Sequence, residues 1–268
     1  MKRTMIILGL ASISLLMARC GNIFSGYGPQ PHVIDDTPYQ QQLNLLGILR
    51  PDSLKGESRS FVHLEMTYPP AEEYDDLTVR DAQVMLVRLA GGSLSPNDTI
   101  RLEYTWPENS NGDMEYYQAL FFPDPGETYQ IICRRDSFPE LTATTTIPQP
   151  PTILPESWTI TPGQLRFTLL RDSSIFAYDL FLIIDGHEYS QRLLREEEGN
   201  LDVSMNFTES GGSQAELVIY GYDQNLTEYI SYNISFKPNT YLGHLSTVEN
   251  GYGCLASLNL WRQGFTIP

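Results

Sequence analysis

The stretch Asp124-Pro125-Gly126-Glu127-Thr128-Tyr129-Gln130-Ile131 indicates the fold more directly than any other part of the chain. A Pro-Gly turn followed by a tyrosine at the start of a strand is typical of a β-sandwich corner, where the tyrosine hydroxyl bonds back to the preceding turn. Ile131, two residues further on, is then expected in the core. The alternative is that Tyr129, one of 16 tyrosines, occupies an ordinary strand position. The corner predicts an immunoglobulin-like sandwich around this segment.

Alternation of apolar and polar residues on both sides of this corner predicts further strands. In one of them, Ile100, Leu102 and Tyr104 alternate with charged or hydroxyl residues. Seven strands are predicted over about a hundred residues, which is the strand density of an immunoglobulin-like sandwich. They span residues 43–49, 60–66, 82–89, 100–105, 116–122, 128–134 and 141–146.

A proline-rich segment follows the seventh predicted strand. The stretch Ile147-Pro148-Gln149-Pro150-Pro151-Thr152-Ile153-Leu154-Pro155 contains four prolines within its last eight residues. Proline lacks an N–H donor and favours the polyproline II conformation, so the segment predicts a semi-rigid spacer between domains. We therefore expect an N-terminal sandwich over residues 43–147, a linker over 148–156 and a second domain over 157–268.

The second half of the chain repeats the strand pattern. Strands are predicted over residues 165–170, 178–184, 187–193, 201–207 and 215–222, followed by a final alternating strand over 254–260. Asp185-Gly186 is a hairpin signal between two of them. After Asp223, a suitable N-cap, apolar residues recur at helical spacing through residues 225–233. The predicted fold class is all-β, with two immunoglobulin-like sandwich domains in tandem and a short helix in the second.

The first nineteen residues have the pattern of a leader. Lys2 and Arg3 precede an apolar run over residues 5–17, which at about 1.5 Å of rise per residue is too short to span a hydrocarbon core of about 30 Å. The following Leu16-Met17-Ala18-Arg19-Cys20 resembles the box at which bacterial lipoprotein precursors are cleaved before the cysteine is acylated. Arg19 departs from the small residue normally found there. The alternative is an ordinary secretory leader with an incidental cysteine.

The lipoprotein interpretation predicts where in the cell the protein is located. It predicts a signal peptide over residues 1–19, acylation of Cys20 by chains such as palmitate, and a flexible tether over residues 20–42. The membrane is then contacted through the N-terminal lipid. Gly21 does not resemble the aspartate that retains some lipoproteins at the inner membrane, which favours the outer membrane of the cell.

The net charge argues against two classes of partner, nucleic acids and anionic membrane surfaces. The chain has 17 basic and 33 acidic residues, a net charge of -16, and removal of Lys2, Arg3 and Arg19 with the leader leaves 14 against 33, or -19. Such a field repels phosphate backbones and anionic head groups, so no nucleic-acid partner is expected. A content of 41% apolar and 11% aromatic residues is too high for a disordered acidic chain.

Motifs for catalysis and metal binding are missing from the sequence. The four histidines, His32, His63, His187 and His244, have no paired ligand spacing, and neither a Gly-x-Ser-x-Gly elbow nor a phosphate-binding glycine loop occurs. Residues 108–113 offer alternating oxygen donors without matching a calcium loop, so a solvated acidic loop is the simpler interpretation. No catalytic, cofactor-binding or metal-binding residue is predicted, and no cofactor. Whether Cys133 and Cys254 form a disulfide is left open.

The order of three motifs resembles a known family. Pro125-Gly126-Glu127-Thr128-Tyr129, Ala143-Thr144-Thr145-Thr146-Ile147-Pro148 and Glu249-Asn250-Gly251-Tyr252-Gly253, together with the lipobox, are similar to Bacteroidota-type lipoproteins grouped as domain of unknown function 4249. Cys254 departs from the apolar or aromatic residue usual after the last glycine. The resemblance implies an outer-membrane lipoprotein, often encoded beside a TonB-dependent transporter, with no established activity and no catalytic residues.

These observations predict a non-catalytic binding or accessory module, with an outer-membrane transporter as the implied partner. Sandwich loops are the expected binding segments, here residues 68–76, 106–115 and 196–200. Tyr74 and Trp106 are the candidate partner-binding residues, because aromatic side chains contribute most to interfaces. The alternative for each is a lone exposed aromatic. The alternative function is a surface hydrolase of glycan or peptide with an unrecognised carboxylate site.

Overall fold

In the computed structural model, the described residues are 40–67, 76–90, 93–105, 115–194, 199–209, 211–231 and 247–268. These ranges contain eighteen strands and one helix, which confirms the all-β class. Within them, no helix is long and apolar enough to cross a membrane. The strands are β1 (Leu43–Leu49), β2 (Ser53–Leu54), β3 (Glu57–Ser58), β4 (Phe61–Met66), β5 (Gln83–Ala90), β6 (Ser93–Thr105), β7 (Tyr116–Gln118), β8 (Thr128–Arg134), β9 (Leu141–Thr146), β10 (Thr152–Ile153), β11 (Thr159–Thr161), β12 (Gln164–Leu170), β13 (Ala177–Ile184), β14 (His187–Leu194), β15 (Leu201–Asn206), β16 (Gln214–Tyr222), β17 (Val248–Glu249) and β18 (Tyr252–Thr266), and the helix is α1 (Gln224–Ser231).

The first sandwich is formed by β1, β4, β7 and β6 in one layer and β6, β5, β8, β9 and β17 in the other. β6 belongs to both layers, because its residues 93–102 pair with β5 and its residues 103–105 pair with β7. Alternating side chains from both layers meet in one core, in which Val62, Leu86 and Ile131 are fully buried. Ile131 is therefore a core residue, as predicted.

The tyrosine corner is confirmed. The Tyr129 side chain is buried, and its hydroxyl accepts a hydrogen bond from the backbone nitrogen of Asp124 at 3.1 Å. The ring contacts Phe121 edge to face, with centroids 5.3 Å apart. Burial raises the pKa of the Tyr129 hydroxyl. The corner thus ties the turn at residues 124–127 to the first strand residues that follow it.

The second sandwich packs β14, β13, β16 and β18 against a smaller sheet of β10, β11, β12 and β15. Period-two alternation on β12 sends Leu165, Phe167 and Leu169 into this core. The predicted hairpin is also confirmed: Asp185 and Gly186 have φ values of 48° and 88° and join paired residues of β13 and β14.

The predicted helix forms one residue earlier than expected, at Gln224–Ser231. Asp223 caps it, because Asp223 Oδ1 accepts a hydrogen bond from the backbone nitrogen of Leu226 at 2.8 Å. Leu226 is buried on the same side of the helix as Tyr229 and Ile230, which pack with Cys254 and Ala256 of β18. The helix therefore covers the last strand.

β18 is shared by the two sandwiches. Its residues 252–257 pair in parallel with β1, and its residues 258–266 pair antiparallel with β16. As a consequence Leu255 is buried in the first core, whereas Ile267, just beyond the strand, is buried in the second. The domain limits 43–147 and 157–268 remain predictions, but the final strand contributes to both cores.

Close backbone approach explains the Asn-Gly-Tyr-Gly motif at the start of β18. A β-carbon on Gly251 would lie 2.5 Å from Leu141 Cδ1 and 2.8 Å from the carbonyl oxygen of Leu43. Asn250 adopts a left-handed φ of 56° and donates from Nδ2 to the carbonyl oxygen of Glu140 at 3.1 Å. The motif therefore allows the backbone of the last strand to pack closely beside β1.

Five short strands were not predicted, namely β2 and β3, which form a hairpin, and β10, β11 and β17. Each has only two or three residues, too few for an alternating pattern to be recognised. β10 lies within the predicted linker and pairs with β12, so part of that linker belongs to the second sandwich. The strand predicted over residues 116–122 ends at Gln118, because Gln118 and Phe121 instead bond to Ser58 of the β2–β3 hairpin.

Candidate binding site at one end of the first sandwich

Several connections meet at one end of the first sandwich, which we call the loop end. β4, β6 and β8 terminate there, and β1, β5, β7 and β9 begin there. Connections 67–82, 106–115 and 135–140 start or finish at the loop end, as does the turn at residues 250–251 between β17 and β18. The described chain also enters at this end, through Gln40 and Gln41.

An arginine joins the described ends of two of these connections. Arg80 Nη1 contacts Asp76 Oδ2 at 2.7 Å, and its Nε and Nη2 contact the two carboxylate oxygens of Glu115 at 2.5 and 2.9 Å. The Tyr104 hydroxyl accepts from Arg80 Nε at 3.1 Å and donates to Glu115. We call Asp76, Arg80, Tyr104 and Glu115 the Arg80 cluster.

Charge pairing fixes the ionisation of the Arg80 cluster. Hydrogen bonding by Arg80 is the main cause that lowers the pKa of both Asp76 and Glu115. The pKa of Arg80 is raised, first by Glu115 and then by Asp76. Burial, followed by the neighbouring Glu115, raises the pKa of Tyr104. Asp76, Glu115 and Arg80 are therefore ionised at neutral pH while Tyr104 stays neutral, and their contacts hold the bases of connections 67–82 and 106–115 together.

His63 supports this cluster from the strand beneath it. Its Nδ1 lies 2.5 Å from the backbone carbonyl oxygen of Glu115, and its Nε2 lies 2.9 Å from Glu65 Oε1. The side chain of His63 is buried. These two contacts are with the backbone of Glu115 and with Glu65 on the same strand, in agreement with the interpretation of His63 as a polar strand residue.

A cleft of about 710 Å³ opens at the loop end. Arg135 lies in it, with Nε 2.8 Å from Asp81 Oδ1 and its guanidinium 5.3 Å from the ring centroid of Phe138. Ser137, in the same turn, has a left-handed φ of 69°. The lining residues are Gln41, Met66, Asp81, Gln83, Arg134, Arg135, Asp136, Ser137, Phe138 and Glu140.

The cleft is lined mainly by polar and charged side chains. Two of its three carboxylates are paired with arginines, Asp81 with Arg135 and Glu140 with Arg134. Histidine and cysteine are not among its lining residues. The cleft thus exposes hydrogen-bond donors and acceptors and one aromatic ring, that of Phe138. In the described ranges, no group of three or more His, Cys, Asp or Glu residues is placed to hold a metal ion.

The residues singled out from the sequence lie outside the described part of the chain. This holds for Cys20, Tyr74 and Trp106, for most of the three candidate loops, and for the acidic segment 108–113. The structure instead brings together the described loop ends, Asp76 and Glu115, on Arg80. Asp76 and Glu115 lie at the ends of predicted binding segments, but sequence reasoning missed Arg80 and Arg135. The pairing of Arg80 with Glu115 joins residues 35 positions apart, which leaves no local pattern.

The two described cysteines are free thiols. Cys133 is fully buried in the first core, and Cys254 is buried beneath α1. Burial raises the pKa of both thiols, to about 12 for Cys254. Both therefore pack as small apolar side chains rather than as a disulfide.

Comparison with known proteins gives no assignment. No protein-family model and no curated protein matches the chain. A solved structure of the chicken interferon gamma receptor alpha chain matches with 10% identity and a TM-score of 0.25, over 86% of this chain and all of the receptor chain. A TM-score of 0.25 carries no inference, so the sandwich fold rests on the strand pairing described above.

Proposed function

We propose that the protein is a lipid-anchored outer-membrane lipoprotein that acts as a non-catalytic binding or accessory module, and that it engages its partner with the loop end. The observation that carries the binding proposal is the Arg80 cluster. It ties the ends of two loop connections to the rigid first sandwich, beside a cleft of about 710 Å³. Loops held at their bases by a scaffold are the usual location of binding residues.

The charge distribution suits recognition rather than catalysis. Arginines already neutralise two of the three carboxylates of the cleft, which leaves Asp136 and the exposed edge of the turn for a partner. Rim charges of this kind contribute mainly to encounter rate and specificity, while aromatic residues supply most of the affinity. Tyr74 and Trp106 belong to the same two connections and remain the proposed aromatic anchors.

The proposed anchor and the proposed site are connected by the chain itself. Acylation at Cys20 would leave a tether of about twenty residues, which joins the described unit at Gln40, at the loop end. An integral outer-membrane protein is therefore a suitable partner. The family resemblance, which also remains a proposal, makes a TonB-dependent transporter the first one to test.

The anchor is tested by Cys20→Ser. The variant should lose metabolic lipid labelling and leave the membrane fraction, whereas Cys133→Ser, which removes a buried thiol, should stay membrane-bound. A Cys20→Ser protein that still sediments with membranes and carries lipid would contradict the lipoprotein proposal.

The binding role is tested with a cleft variant. Arg135→Ala should reduce capture of an outer-membrane partner from solubilised membranes, because Arg135 organises the cleft through Asp81 and Phe138. Arg166→Ala, on the exposed face of β12 in the second sandwich, is the matched control and should capture normally. Equal capture by both variants, together with turnover of a glycan or peptide by the purified protein, would favour the hydrolase instead.

A further inference from the structure

Asp223 is a buried carboxyl at the place where α1 meets the first sandwich. Its side chain is 5% exposed. Oδ1 caps α1 through the backbone nitrogen of Leu226, and Oδ2 lies 2.5 Å from Thr145 Oγ1 on β9. The backbone nitrogen of Asp223 also donates to the carbonyl oxygen of Ser257 on β18 at 3.1 Å. Asp223 therefore links the helix to β9 of the first sandwich and to β18, the strand that the two sandwiches share.

A chain of hydroxyl groups continues from Asp223. Thr145 Oγ1 lies 2.9 Å from Ser257 Oγ, which in turn lies 2.9 Å from the carbonyl oxygen of Thr146. The series from Asp223 Oδ2 to Thr146 thus has three contacts of hydrogen-bond length. The two hydroxyls supply only two hydrogens. If Asp223 is ionised, one of the three contacts has no hydrogen.

A proton on Asp223 Oδ2 completes this chain. The carboxylic acid then donates to Thr145, Thr145 donates to Ser257, and Ser257 donates to the carbonyl oxygen of Thr146. Each oxygen is satisfied, and Oδ1 still accepts from the amide of Leu226. The helix cap therefore does not require a charged Asp223.

Among the described residues, the groups that act on the Asp223 carboxyl are hydrogen-bond donors, and none of them is a cation. The titratable groups around this junction include the thiol of Cys254 on β18, whose pKa is raised first by burial and then by Asp223 and by Glu228 of α1. Ser174 lines a small cavity together with Asp223 and is hydrogen-bonded to the carboxyl of Asp172. Asn225 faces the same junction as a neutral amide. Desolvation raises the pKa of Asp223, against the lowering effect of the donors Thr145, Leu226 and Ser257.

We propose that Asp223 is a neutral carboxylic acid that donates to Thr145, and that the junction between α1 and the first sandwich loosens when this proton is lost. The junction is then a pH-sensitive lock. A carboxyl whose pKa is raised in the folded state stabilises fully below its ordinary value, and that contribution is lost as the pH rises through the raised value. The lock therefore weakens on the alkaline side.

The protonation state can be read directly by carbon NMR of aspartate carboxyls in the mature chain. Asp223→Asn identifies the Asp223 signal by its disappearance, and Thr145→Val identifies it by a shift if Asp223→Asn fails to fold. We expect the signal to be that of a protonated carboxyl at neutral pH, with a pKa raised well above the ordinary aspartate value of 3.8. A carboxylate signal at neutral pH would overturn the proposal.

Loosening of the junction is measured by thiol labelling, because Cys254 lies under α1 with Sγ 3.7 Å from the carbonyl oxygen of Asn225. Asn is an equally good N-cap and mimics the protonated acid, so Asp223→Asn is the matched control at each pH. At each pH, the labelling rate of Cys254 in the wild type is divided by its rate in Asp223→Asn. We expect this ratio to rise severalfold with pH, while the same ratio for Cys133 stays near one. A pH-independent Cys254 ratio, or an equal rise at Cys133, would contradict the lock.

Discussion

Gly253 lies against the backbone of Leu45 so closely that a β-carbon on Gly253 would be 1.9 Å from the carbonyl oxygen of Leu45. These two residues are register partners in the parallel pairing of β18 with β1. The φ of Gly253 is +105°, which side chains rarely adopt. The contact decides how the last strand joins the first sandwich.

Gly253→Ala should therefore be strongly destabilising. We expect a loss of at least about 3 kcal/mol in the free energy of unfolding, because steric overlap with backbone adds to conformational strain. Gly186→Ala is the matched control: Gly186 also has a positive φ, +88°, but nothing lies within 4 Å of the added carbon. It should cost about 1 kcal/mol. If urea denaturation gave the two variants equal losses in the free energy of unfolding, the role of the close approach at Gly253 would be contradicted.

Tyr129→Phe tests the sandwich corner. Removing the hydroxyl deletes its bond with the Asp124 amide, and the expected cost is about 1 kcal/mol because Asp124 is exposed and water can replace the lost partner. The denaturation midpoint should fall with an unchanged dependence on denaturant. A midpoint equal to that of the wild type would show that the hydroxyl does not stabilise the corner.

Arg80→Gln tests the cluster at the loop end. Both carboxyl pKa values are lowered, so the stabilisation exists above their ordinary values of 3.8 and 4.5 and is lost as the pH falls through the lowered values. Because the Arg80 and Asp76 side chains are 40% and 51% exposed, we expect a loss of only about 0.5–1 kcal/mol at neutral pH.

The control for this variant is Arg101→Gln, which removes the more exposed pair of Arg101 with Glu103 on β6. Its effect on urea denaturation should be close to zero at every pH. A loss for Arg80→Gln that persists undiminished in acid would show that charge pairing is not its cause.

Cleavage within residues 147–156 tests how independent the two sandwiches are. Limited proteolysis should cut there, as the proline-rich segment predicts, and give two fragments on a denaturing gel. The fragments should nevertheless elute together from a sizing column without denaturant, since β18 pairs with β1 as well as β16. Fragments that separate under native conditions would contradict the shared strand.

The local sequence pattern was sufficient to predict the longer strands in which apolar and polar residues alternate. The predicted bounds of β1, β8 and β9 are those observed, and Asp185-Gly186 and Asp223 act as the turn and cap that their residue types favour. In these places the side-chain period and the turn chemistry are encoded within a few neighbouring residues.

Long-range pairing was not predictable from the same patterns. The parallel pairing of β18 with β1 depends on residues near opposite ends of the chain, and the partners of Arg80 come from two separate connections. The glycines of Asn250-Gly251-Tyr252-Gly253 were recognised as a motif, but the strand packed against them is defined only by the fold. The candidate site was therefore located by the structure, whereas its aromatic anchors remain predictions.

Site-specific photo-crosslinking in intact cells tests the binding proposal most directly. A photoreactive residue replaces Asp136 at the exposed turn of the cleft, or Lys55 at the exposed β2–β3 hairpin, which lies at the opposite end of β1. The account predicts a crosslink from position 136 to an integral outer-membrane protein, reduced by Arg135→Ala, and none from position 55. Crosslinks from position 55 alone, or none from either position while the purified protein cleaves a glycan or peptide, would contradict it.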